Sequence, residues 1–284
     1  MTILKQTTLT EEQTTQIRAL EQLCKSYDGL KSSLYLSGEI NFDKNMNCFF
    51  LLYDENVLVS FLTIFCPTKC EAELSALTKP AYRNMGCFNQ LYTATKAELK
   101  HADVNEILFV HEPQSLEAKA VLNKLPINYD FSEYVMDYVG GAITVPNQEL
   151  SLLPVNQSDR DAIVSLSTSS FEGESVDVAR HWFDSRFSSK TSTIYKAIAN
   201  GTIVGTLCVN FEEEPNSIFG LSIGREYRGN GYGKQMLLTI LSILKKDNKA
   251  ICLEVNSTND VAFAMYKKYG FTIRAQNDYY RYQF

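Results

Sequence analysis

Hydrophobic and polar positions along this chain follow one pattern in the first half and repeat it in the second. Residues 47–64 and 193–211 are each an apolar stretch broken by a short polar turn, which predicts a β-hairpin in each half. Each hairpin is followed by a further strand, an arginine, a glycine-containing turn and an amphipathic helix. The pattern therefore predicts two domains built from the same order of elements.

The spacing of equivalent residues supports a duplication. Val59 and Val204 lie 145 positions apart, and so do Arg83 and Arg228. A period this long indicates a repeated domain, because solenoid repeats are much shorter. The segment 140–154 is rich in Gly, Pro, Asn and Gln, as linkers are. We expect an N-terminal domain over residues 1–145 and a C-terminal domain over residues 146–284.

The second half alternates helical and extended periodicities, which predicts an α+β domain around a mixed sheet. The predicted strands are a hairpin at 192–211 and single strands at 217–224, 250–255 and 279–284. The predicted helices are 157–170, 176–187, 231–246 and 259–269.

Composition narrows the class of protein. The net charge is −6, which argues against nucleic acid as a main partner. No apolar run approaches the ~20 residues that a membrane-spanning helix needs. The first residues lack the basic and apolar regions of a secretion signal, so we expect a soluble, cytoplasmic protein.

Cysteine and histidine usage predicts neither disulfides nor a metal. The seven cysteines are an odd number, and several lie in apolar runs, where a free cysteine packs as a small hydrophobic residue. The three histidines are dispersed, and no second Cys or His pair accompanies Cys66 and Cys70 at metal-ligand spacing.

The strongest chemical signal is the segment 227–234, Tyr-Arg-Gly-Asn-Gly-Tyr-Gly-Lys, between a predicted strand and a predicted helix. Its glycines allow a backbone to approach an anion closely, and the first N–H groups of a helix have no internal partners. Together these features predict a diphosphate cradle at a helix N-terminus. A glycine-rich turn that merely starts a helix is the alternative.

The second signal is the segment 253–271. It runs from a strand ending at Glu254 and Val255 into a helix capped by Thr258 or Asn259, with Tyr266 two turns further along.

Taken in this order, the two motifs resemble those of the GNAT superfamily of N-acetyltransferases. The spacing from Glu254 through Asn259 to Tyr266 is similar to that of ribosomal-protein alanine N-acetyltransferases. The resemblance implies a tandem GNAT fold, in which each domain has a mixed, mostly antiparallel sheet with splayed central strands flanked by helices. It also implies acetyl-CoA as co-substrate, with no metal.

The resemblance assigns the cofactor to residues between 221 and 234 and to Asn259. The backbones near Leu221 and Ile223 should bond the pantetheine arm, and Asn259 should contact it or brace the splayed strands. Arg228 and Lys234 should add positive charge near the diphosphate. The backbone N–H groups that should hold the diphosphate belong to Gly229, Asn230, Gly231, Tyr232, Gly233 and Lys234.

Two side chains match the family's catalytic positions. Tyr266 corresponds to the general acid that protonates the leaving thiolate, and it should also line the cofactor site. Glu254 corresponds to a general base that acts through water. A tyrosine packed on the helix face and a solvent-facing strand carboxylate are the alternatives for these two residues.

The first half keeps the motif only in part. Arg83 and Gly86 are present, but Phe88 replaces the last glycine. Matching the second motif puts Val110 at the place of Glu254, and Ser115 and Leu122 at those of Asn259 and Tyr266. We therefore expect a degenerate, non-catalytic N-terminal domain.

The resulting prediction is an N-acetyltransferase that acts on a primary amine through its C-terminal domain. The acceptor is a small molecule, favoured by the tandem architecture, or a peptide, favoured by the motif similarity. A non-catalytic acyl-CoA-binding or partner-binding module is the alternative. We expect no nucleic-acid or membrane partner, and either a monomer or a homodimer.

Overall fold

The fold was examined in a computed structural model of the 284-residue chain. The structure describes residues 1–141, 143, 150–170, 175–211 and 215–284. The chain divides into two compact units: unit 1 comprises Met1–Glu133 with Ala275–Phe284, and unit 2 comprises Tyr134–Arg274. The predicted boundary at 145/146 lies outside the described residues.

Unit 1 begins with a strand and a capped helix. Thr10 and Gln13 form a reciprocal capping box at the start of that helix, and Gly29 ends it in the left-handed conformation. The helices of unit 1 are α1 (Glu11–Asp28), α2 (Cys87–His101) and α3 (Leu116–Leu122). Its strands are β1 (Thr2–Gln6), β2 (Phe49–Asp54), β3 (Val57–Phe65), β4 (Glu71–Thr78), β5 (Glu106–His111) and the first part of β6 (Asn128–Tyr138).

Unit 2 repeats this order of elements, except that two helices follow its first strand where unit 1 has α1. Its helices are α4 (Arg160–Ser170), α5 (Val176–Phe187), α6 (Tyr232–Leu244) and α7 (Asp260–Lys268). Its strands are β7 (Leu150–Pro154), β8 (Ser192–Ala199), β9 (Thr202–Asn210), β10 (Asn216–Ile223), β11 (Ile251–Asn256) and the first part of β12 (Phe271–Gln283). Both predicted hairpins form, with left-handed residues Glu55, Asn200 and Gly201 in their turns.

Each unit contains a mixed, mostly antiparallel sheet, as predicted. In unit 1 the order is β1-β2-β3-β4-β5, then residues 275–283 of β12 and 128–133 of β6. In unit 2 the order is β7-β8-β9-β10-β11, then residues 134–138 of β6 and 271–274 of β12. Among the described residues, β4 pairs with β5 and β10 pairs with β11 in parallel.

The last strand begins earlier than the sequence predicted, at Phe271 instead of residue 279. Asn277 and Asp278 resemble turn residues, but the side chain of Asp278 accepts hydrogen bonds from Ser132 at 2.6 Å and Gln276 at 2.8 Å. These partners within unit 1 satisfy the carboxylate, so the strand continues through a polar stretch.

Apolar faces of the strands and helices form the cores. In unit 2, Leu237, Ile240, Leu241 and Leu244 of α6 are fully buried against Leu253 and other strand residues. Helices α4 and α5 form a second cluster with residues such as Phe183 and Cys208. No helix in the described part of the chain combines the length and apolar character that a bilayer crossing requires.

Candidate acetyl-transfer site

The site in unit 2 begins where two parallel strands separate. Strand β10 pairs with β11 only over Asn216–Ile218 and Ile251–Leu253. Its antiparallel pairing with β9 continues to Ile223. The edge of β10 beyond Ile218 is therefore not paired with β11 and can bond an inserted ligand. The backbones assigned to the cofactor, at Leu221 and Ile223, lie in this separated segment.

A bulge shapes the same segment. Between Phe219 and Ser222 the register with β9 shifts, and Gly220 has a φ of 60°. A Cβ atom at Gly220 would lie 3.5 Å from Cζ2 of Trp182 on α5. The bulge thus carries a left-handed glycine packed beside the chain's single tryptophan. Trp182 was not predicted from the sequence, although a glycine inside a strand is a signal of close packing.

Strand β9 approaches β10 unusually closely at Gly205. A Cβ atom there would stand 2.6 Å from the carbonyl oxygen of Ser222 and 2.7 Å from Cδ1 of Ile223. Only glycine leaves room for this approach. Gly205 therefore fixes the position of the β10 backbone, and it too was not identified from the sequence.

The glycine loop presents unpaired backbone N–H groups. Gly229 and Gly231 have φ values of 82° and 75°, and Gly231 is the N-cap of α6 without any side-chain cap. The first helical bond runs from the N–H of Gln235 to the carbonyl of Gly231, at 3.1 Å. The N–H groups of residues 232–234 therefore have no partner within the helix. Their partial positive charge at a helix N-terminus suits a phosphate group.

Asn230 and Tyr232 hold the conformation of the loop, and Gly233 leaves space at the start of α6. Asn230 donates its side-chain amide to the carbonyl of Tyr227 at 3.0 Å. Tyr232 is partly buried against the core of unit 2. A Cβ atom on Gly233 would meet only Cγ1 of Ile223 at 3.8 Å and Sδ of Met265 at 4.0 Å, so nothing in the protein demands a glycine there.

The two cations of the motif differ in their contacts. The Arg228 guanidinium donates to the carbonyls of Ile223 at 3.2 Å and Ser170 at 2.7 Å, so it ties the loop to β10 and α4. Lys234 is exposed, with its Nζ 5.9 Å from the centre of the Tyr269 ring. Both charges lie at the cradle, but Arg228 also has a bracing role that the motif alone did not indicate.

Helix α7 carries Asn259 and Tyr266. The side chain of Asn259 accepts the N–H of Ala262 at 3.1 Å, which makes Asn259 the N-cap and leaves Thr258 outside that role. Tyr266 is 7% exposed, and its ring packs 5.8 Å from that of Phe271. Burial raises the pKa of Tyr266 to about 12, so the phenol stays protonated at neutral pH. Among the described residues, its hydroxyl has no hydrogen-bond partner.

Glu254 lies apart from Tyr266. It is the exposed residue of β11, between Leu253 and Val255, which are buried in the core cluster that contains Tyr266. Because side chains alternate along a strand, Glu254 points to the opposite face of β11. A proton exchange that involved both residues would therefore require water.

The equivalent loop of unit 1 has the same backbone. Asn84 and Gly86 have φ values of 60° and 78° at the positions of Gly229 and Gly231. Gly86 is likewise an N-cap without a side-chain partner. Arg83 donates its Nε to the carbonyl of Thr78 at 3.1 Å, as Arg228 does to Ile223.

The strand register corrects one predicted correspondence. Glu71 pairs with Glu106 and Leu74 with Phe109, and the matching pairs in unit 2 put Phe109, not Val110, at the position of Glu254. The sequence match had assumed one constant offset through the second motif, but the connection before α3 is one residue longer than the connection before α7. Ser115 does cap α3 as Asn259 caps α7, and Leu122 is buried.

Electrostatic surroundings distinguish the two loops. Arg83 donates two hydrogen bonds to Asp28, at 2.8 and 2.6 Å, and lies 3.7 Å from Glu117. The ion pairs found among the described residues include Arg83 but not Arg228. Carboxylates therefore offset the positive charge of the first loop.

The described residues contain no group of three or more His, Cys, Asp or Glu side chains placed to hold a metal ion. Six of the seven cysteines are buried, and all are free thiols in the described chain.

Comparisons with known proteins agree with this geometry. Residues 160–271 match the sequence model of the acetyltransferase (GNAT) family. No curated protein sequence matches the chain. A GCN5-related N-acetyltransferase from Sphaerobacter thermophilus is similar in structure, with a TM-score of 0.77 and 14% identity over 99% of this chain and 95% of that one.

Two further solved structures match the whole chain. A tandem GNAT protein from the clavulanic acid biosynthesis pathway has a TM-score of 0.74 and 13% identity over 99% of this chain and 98% of that one. A GNAT acetyltransferase from Colwellia psychrerythraea has a TM-score of 0.62 and 13% identity over the full length of both chains. At these identities the likeness establishes the fold, and the predicted tandem GNAT fold is confirmed. Together with the sequence match, it identifies the chain as a tandem-fold protein that carries an acetyltransferase domain of the GNAT family over residues 160–271.

Proposed function

We propose that this protein is an acetyl-CoA-dependent N-acetyltransferase, active in its C-terminal domain, which transfers acetyl to a primary amine. The observation that carries the proposal is the row of unpaired N–H groups at residues 232–234, next to the separated edge of β10. A diphosphate and an extended amide-bearing arm fit these two features together, because each presents acceptors or donors to an unpaired backbone.

Bound acetyl-CoA supplies the acetyl thioester. The backbone near Leu221 and Ile223 orients that thioester, and an N–H directed at its carbonyl oxygen favours attack by the amine. Arg228 keeps the glycine loop attached to the end of β10. This contact holds the N–H groups of residues 232–234 beside the separated edge of β10. Tyr266 is the proton donor to the departing sulfur, since its phenol is protonated at neutral pH.

The amine must lose a proton before it attacks. Glu254 is exposed on β11 and can take this proton through water. The two residues differ in exposure. Exposed Glu254 suits a base in contact with solvent, and buried Tyr266 suits an acid in contact with the thioester. Glu254→Gln should lower kcat/KM near neutral pH if this assignment holds. An unchanged kcat/KM would leave deprotonation to bulk water.

We favour a small-molecule amine as the acceptor over a peptide α-amine. The net charge of −6 suits a cationic acceptor of either kind, and the tandem organisation supports the small molecule. A panel of small primary amines and N-terminal peptides, assayed by release of the CoA thiol, separates the two. Turnover with peptides alone would reverse this preference.

The cofactor site is tested by titrating acetyl-CoA while following tryptophan fluorescence. The single tryptophan, Trp182, lies beside the β10 bulge in unit 2, so its emission reports that site. Calorimetry on the same samples gives the number of sites, and we expect one.

The matched variants are Gly233→Glu and Gly233→Gln. A Cβ atom has space at this position, and a glutamate in the first turn favours the helix, so folding should persist. We expect Glu to abolish the fluorescence change and Gln to weaken binding less, because only Glu repels the diphosphate. Undiminished binding by Gly233→Glu would overturn the placement of the cofactor.

A further inference from the structure

Helix α5 places an arginine over strand β10, beside the bulge. The guanidinium carbon of Arg186 lies 4.6 Å from the centre of the Phe219 ring. Phe219 directly precedes Gly220, the left-handed glycine of the bulge, and Trp182 lies beside Gly220 from one turn earlier on the same face of α5. The ring under Arg186 is therefore two residues from Leu221, whose backbone is proposed to orient the thioester.

The guanidinium of Arg186 has no anionic partner in the described part of the chain. The other arginines of this region do: Arg160 is paired with Asp184, and Arg180 lies 3.8 Å from Asp177. The Nε of Arg186 is buried without an acceptor, whereas its two terminal nitrogens are not enclosed. A guanidinium that lies over an aromatic ring uses its face, so these terminal N–H groups stay available to a ligand.

The surroundings of Arg186 do not supply the missing charge. Arg186 is partly buried, and a cation that has lost part of its hydration normally has a counter-ion. The nearby thiol of Cys208 is neutral at neutral pH, because burial raises its pKa to about 12. The Phe219 ring offsets part of the cost. A carboxylate on a ligand would complete the pairing, since it accepts two N–H groups of a guanidinium at once.

Arg186 lies on the same face of the sheet as Glu254. Ile218 pairs with Leu253 in parallel register, and both are buried in the core around α6 and α7. The next residues of the two strands, Phe219 and Glu254, point to the opposite face, where Phe219 packs against the cluster of α4 and α5. These strands are about 4.8 Å apart where they pair. The proposed base and the unpaired cation are therefore neighbours on one face.

The phosphates of the cofactor do not account for this cation. The N–H groups proposed to hold the diphosphate belong to residues 232–234 at the start of α6. Helix α6 packs on the face of the sheet opposite to α4 and α5, since it shares the core cluster of Ile218 and Leu253. An anion bound by Arg186 thus belongs to the second substrate, which carries the amine.

We propose that the acceptor is a free amino acid, whose carboxylate is bound by Arg186 while its amine lies near Glu254 and the thioester. This assignment rests on the proposed acetyl transfer and narrows its acceptor to one class. The amine nitrogen bonds the acetyl carbon and loses a proton to Glu254 through water. The C–S bond breaks, and the sulfur leaves as the thiol with a proton from Tyr266. Arg186 determines specificity and takes no part in these proton transfers.

The test compares acceptors with and without the carboxylate. The pairs are glycine with glycinamide, phenylalanine with phenylalaninamide, and 4-aminobutanoate with 4-aminobutanamide. Acetylation is followed by release of the CoA thiol. We expect at least one acid to exceed its amide in kcat/KM by about tenfold or more, the effect of a charge-assisted hydrogen-bonded pair. The best acid of the panel identifies the spacing of amine and carboxylate that the site accepts.

Variants of Arg186 assign this preference to the guanidinium. Arg186→Gln should abolish it through a higher KM for the acid, while calorimetry shows unchanged acetyl-CoA binding. Arg186→Lys keeps the charge without the bidentate geometry and should recover part of the preference. Arg180→Gln is the matched control, because Arg180 belongs to the same helix and its side chain is 49% exposed. It should alter neither the preference nor acetyl-CoA binding.

Binding separates this proposal from the proposed acetyl transfer. If no amine of the panel is acetylated, the same acids are titrated calorimetrically into the protein with and without coenzyme A. Binding of an acid that Arg186→Gln abolishes would support the carboxylate site and refute the transfer.

Four outcomes would overturn the carboxylate site. The first is that no acid exceeds its amide in the wild-type protein, a comparison that does not depend on the folding of any variant. The second is a preference for acids that persists in Arg186→Gln. The third is that no acid of the panel is acetylated or bound. The fourth is loss of acetyl-CoA binding by Arg186→Gln with unchanged thermal unfolding, which would make Arg186 a cofactor contact.

Discussion

Gly86 and Gly231 begin equivalent helices with almost identical backbones, at φ 78° and ψ 9° for Gly86 and φ 75° and ψ 6° for Gly231. Neither position has a heavy atom within 4 Å of a Cβ that would be added there. The same local structure has therefore formed twice, and the difference between the loops lies in their neighbours. Arg83 is paired with Asp28, whereas Arg228 donates to backbone carbonyls.

This equivalence provides a matched pair of variants, Gly231→Ala and Gly86→Ala. Each places an alanine in the left-handed region, at a similar cost of about 1 kcal/mol. We expect Gly231→Ala to weaken acetyl-CoA binding by roughly fivefold or more, a loss of about 1 kcal/mol, whereas Gly86→Ala leaves it unchanged. Calorimetric titration measures both. Equal weakening in the two variants would mean that the effect is global destabilisation or that both loops bind.

Tyr266→Phe should separate chemistry from binding. The variant keeps the ring that packs against Phe271 and removes only the hydroxyl. We expect kcat to fall by about 10²-fold, the usual contribution of a general acid, while the Kd for acetyl-CoA changes little. The rate of CoA thiol release gives kcat, and calorimetry gives the Kd for acetyl-CoA. A parallel loss of both would assign Tyr266 a packing role.

The pH dependence of the wild-type enzyme follows from the same residue. Burial raises the pKa of Tyr266 to about 12, so deprotonation of this acid should not reduce kcat between about pH 8 and about pH 10. The rate should instead rise or level off there, as the acceptor amine loses its proton. A fall of kcat in this window that Tyr266→Phe abolishes would show a much lower pKa than the structure supports.

Gly205→Ala should damage the site through the backbone. Its Cβ would come 2.6 Å from the carbonyl oxygen of Ser222, so β9 and β10 must move apart. We expect a loss of about 1–3 kcal/mol in the free energy of unfolding, typical of overpacking, and weaker acetyl-CoA binding. Denaturant unfolding measures the first quantity. Gly201→Ala is a control for glycine loss in the same hairpin, since its position in the turn has nothing within 4 Å. Its φ of 77° gives alanine a backbone cost of about 1 kcal/mol there, but acetyl-CoA binding should be unchanged. Equal weakening of binding in the two variants would contradict the steric explanation.

Arg281 should be important for the stability of unit 1. It lies 2.8 Å from Glu71 and 2.7 Å from Asp130, and it also bonds Glu106. Replacement by leucine leaves these three carboxylates together without a cation, so we expect a loss of about 2–3 kcal/mol in thermal or denaturant unfolding. Arg281→Lys should recover part of this loss. A neutral effect of Arg281→Leu would show that solvent screens the cluster.

Periodicity predicted the elements of unit 2 well where one side of an element is apolar. Helix α5 spans Val176–Phe187, as predicted, and the hairpin of β8 and β9 turns at Asn200 and Gly201. The late start predicted for β12 reflects a different situation. Asp278 remains in a strand because two side chains donate hydrogen bonds to its carboxylate. Ser132 is distant from it in sequence, and Gln276 is two residues away. Local patterns carry no information on such partners.

The candidate site was predictable where backbone conformation is encoded by residue type. Gly229 and Gly231 have the left-handed conformation for which glycine is suited, and Asn259 is the expected cap. The contacts of Arg228 with Ser170 and of Trp182 with the β10 bulge depend on tertiary packing, so the motif could not reveal them. Whether Glu254 serves as the base depends on water and substrate, and it stays a prediction.

Residues 275–284 belong to unit 1, which affects how this unit can fold during synthesis. During translation, the first unit must wait for residues 275–284 before its sheet can be completed. That closure joins segments far apart in sequence, which is entropically costly and slow. We expect the first unit to remain incomplete, with the unpaired edge of β5 open to wrong partners, until Arg281 reaches its three carboxylates.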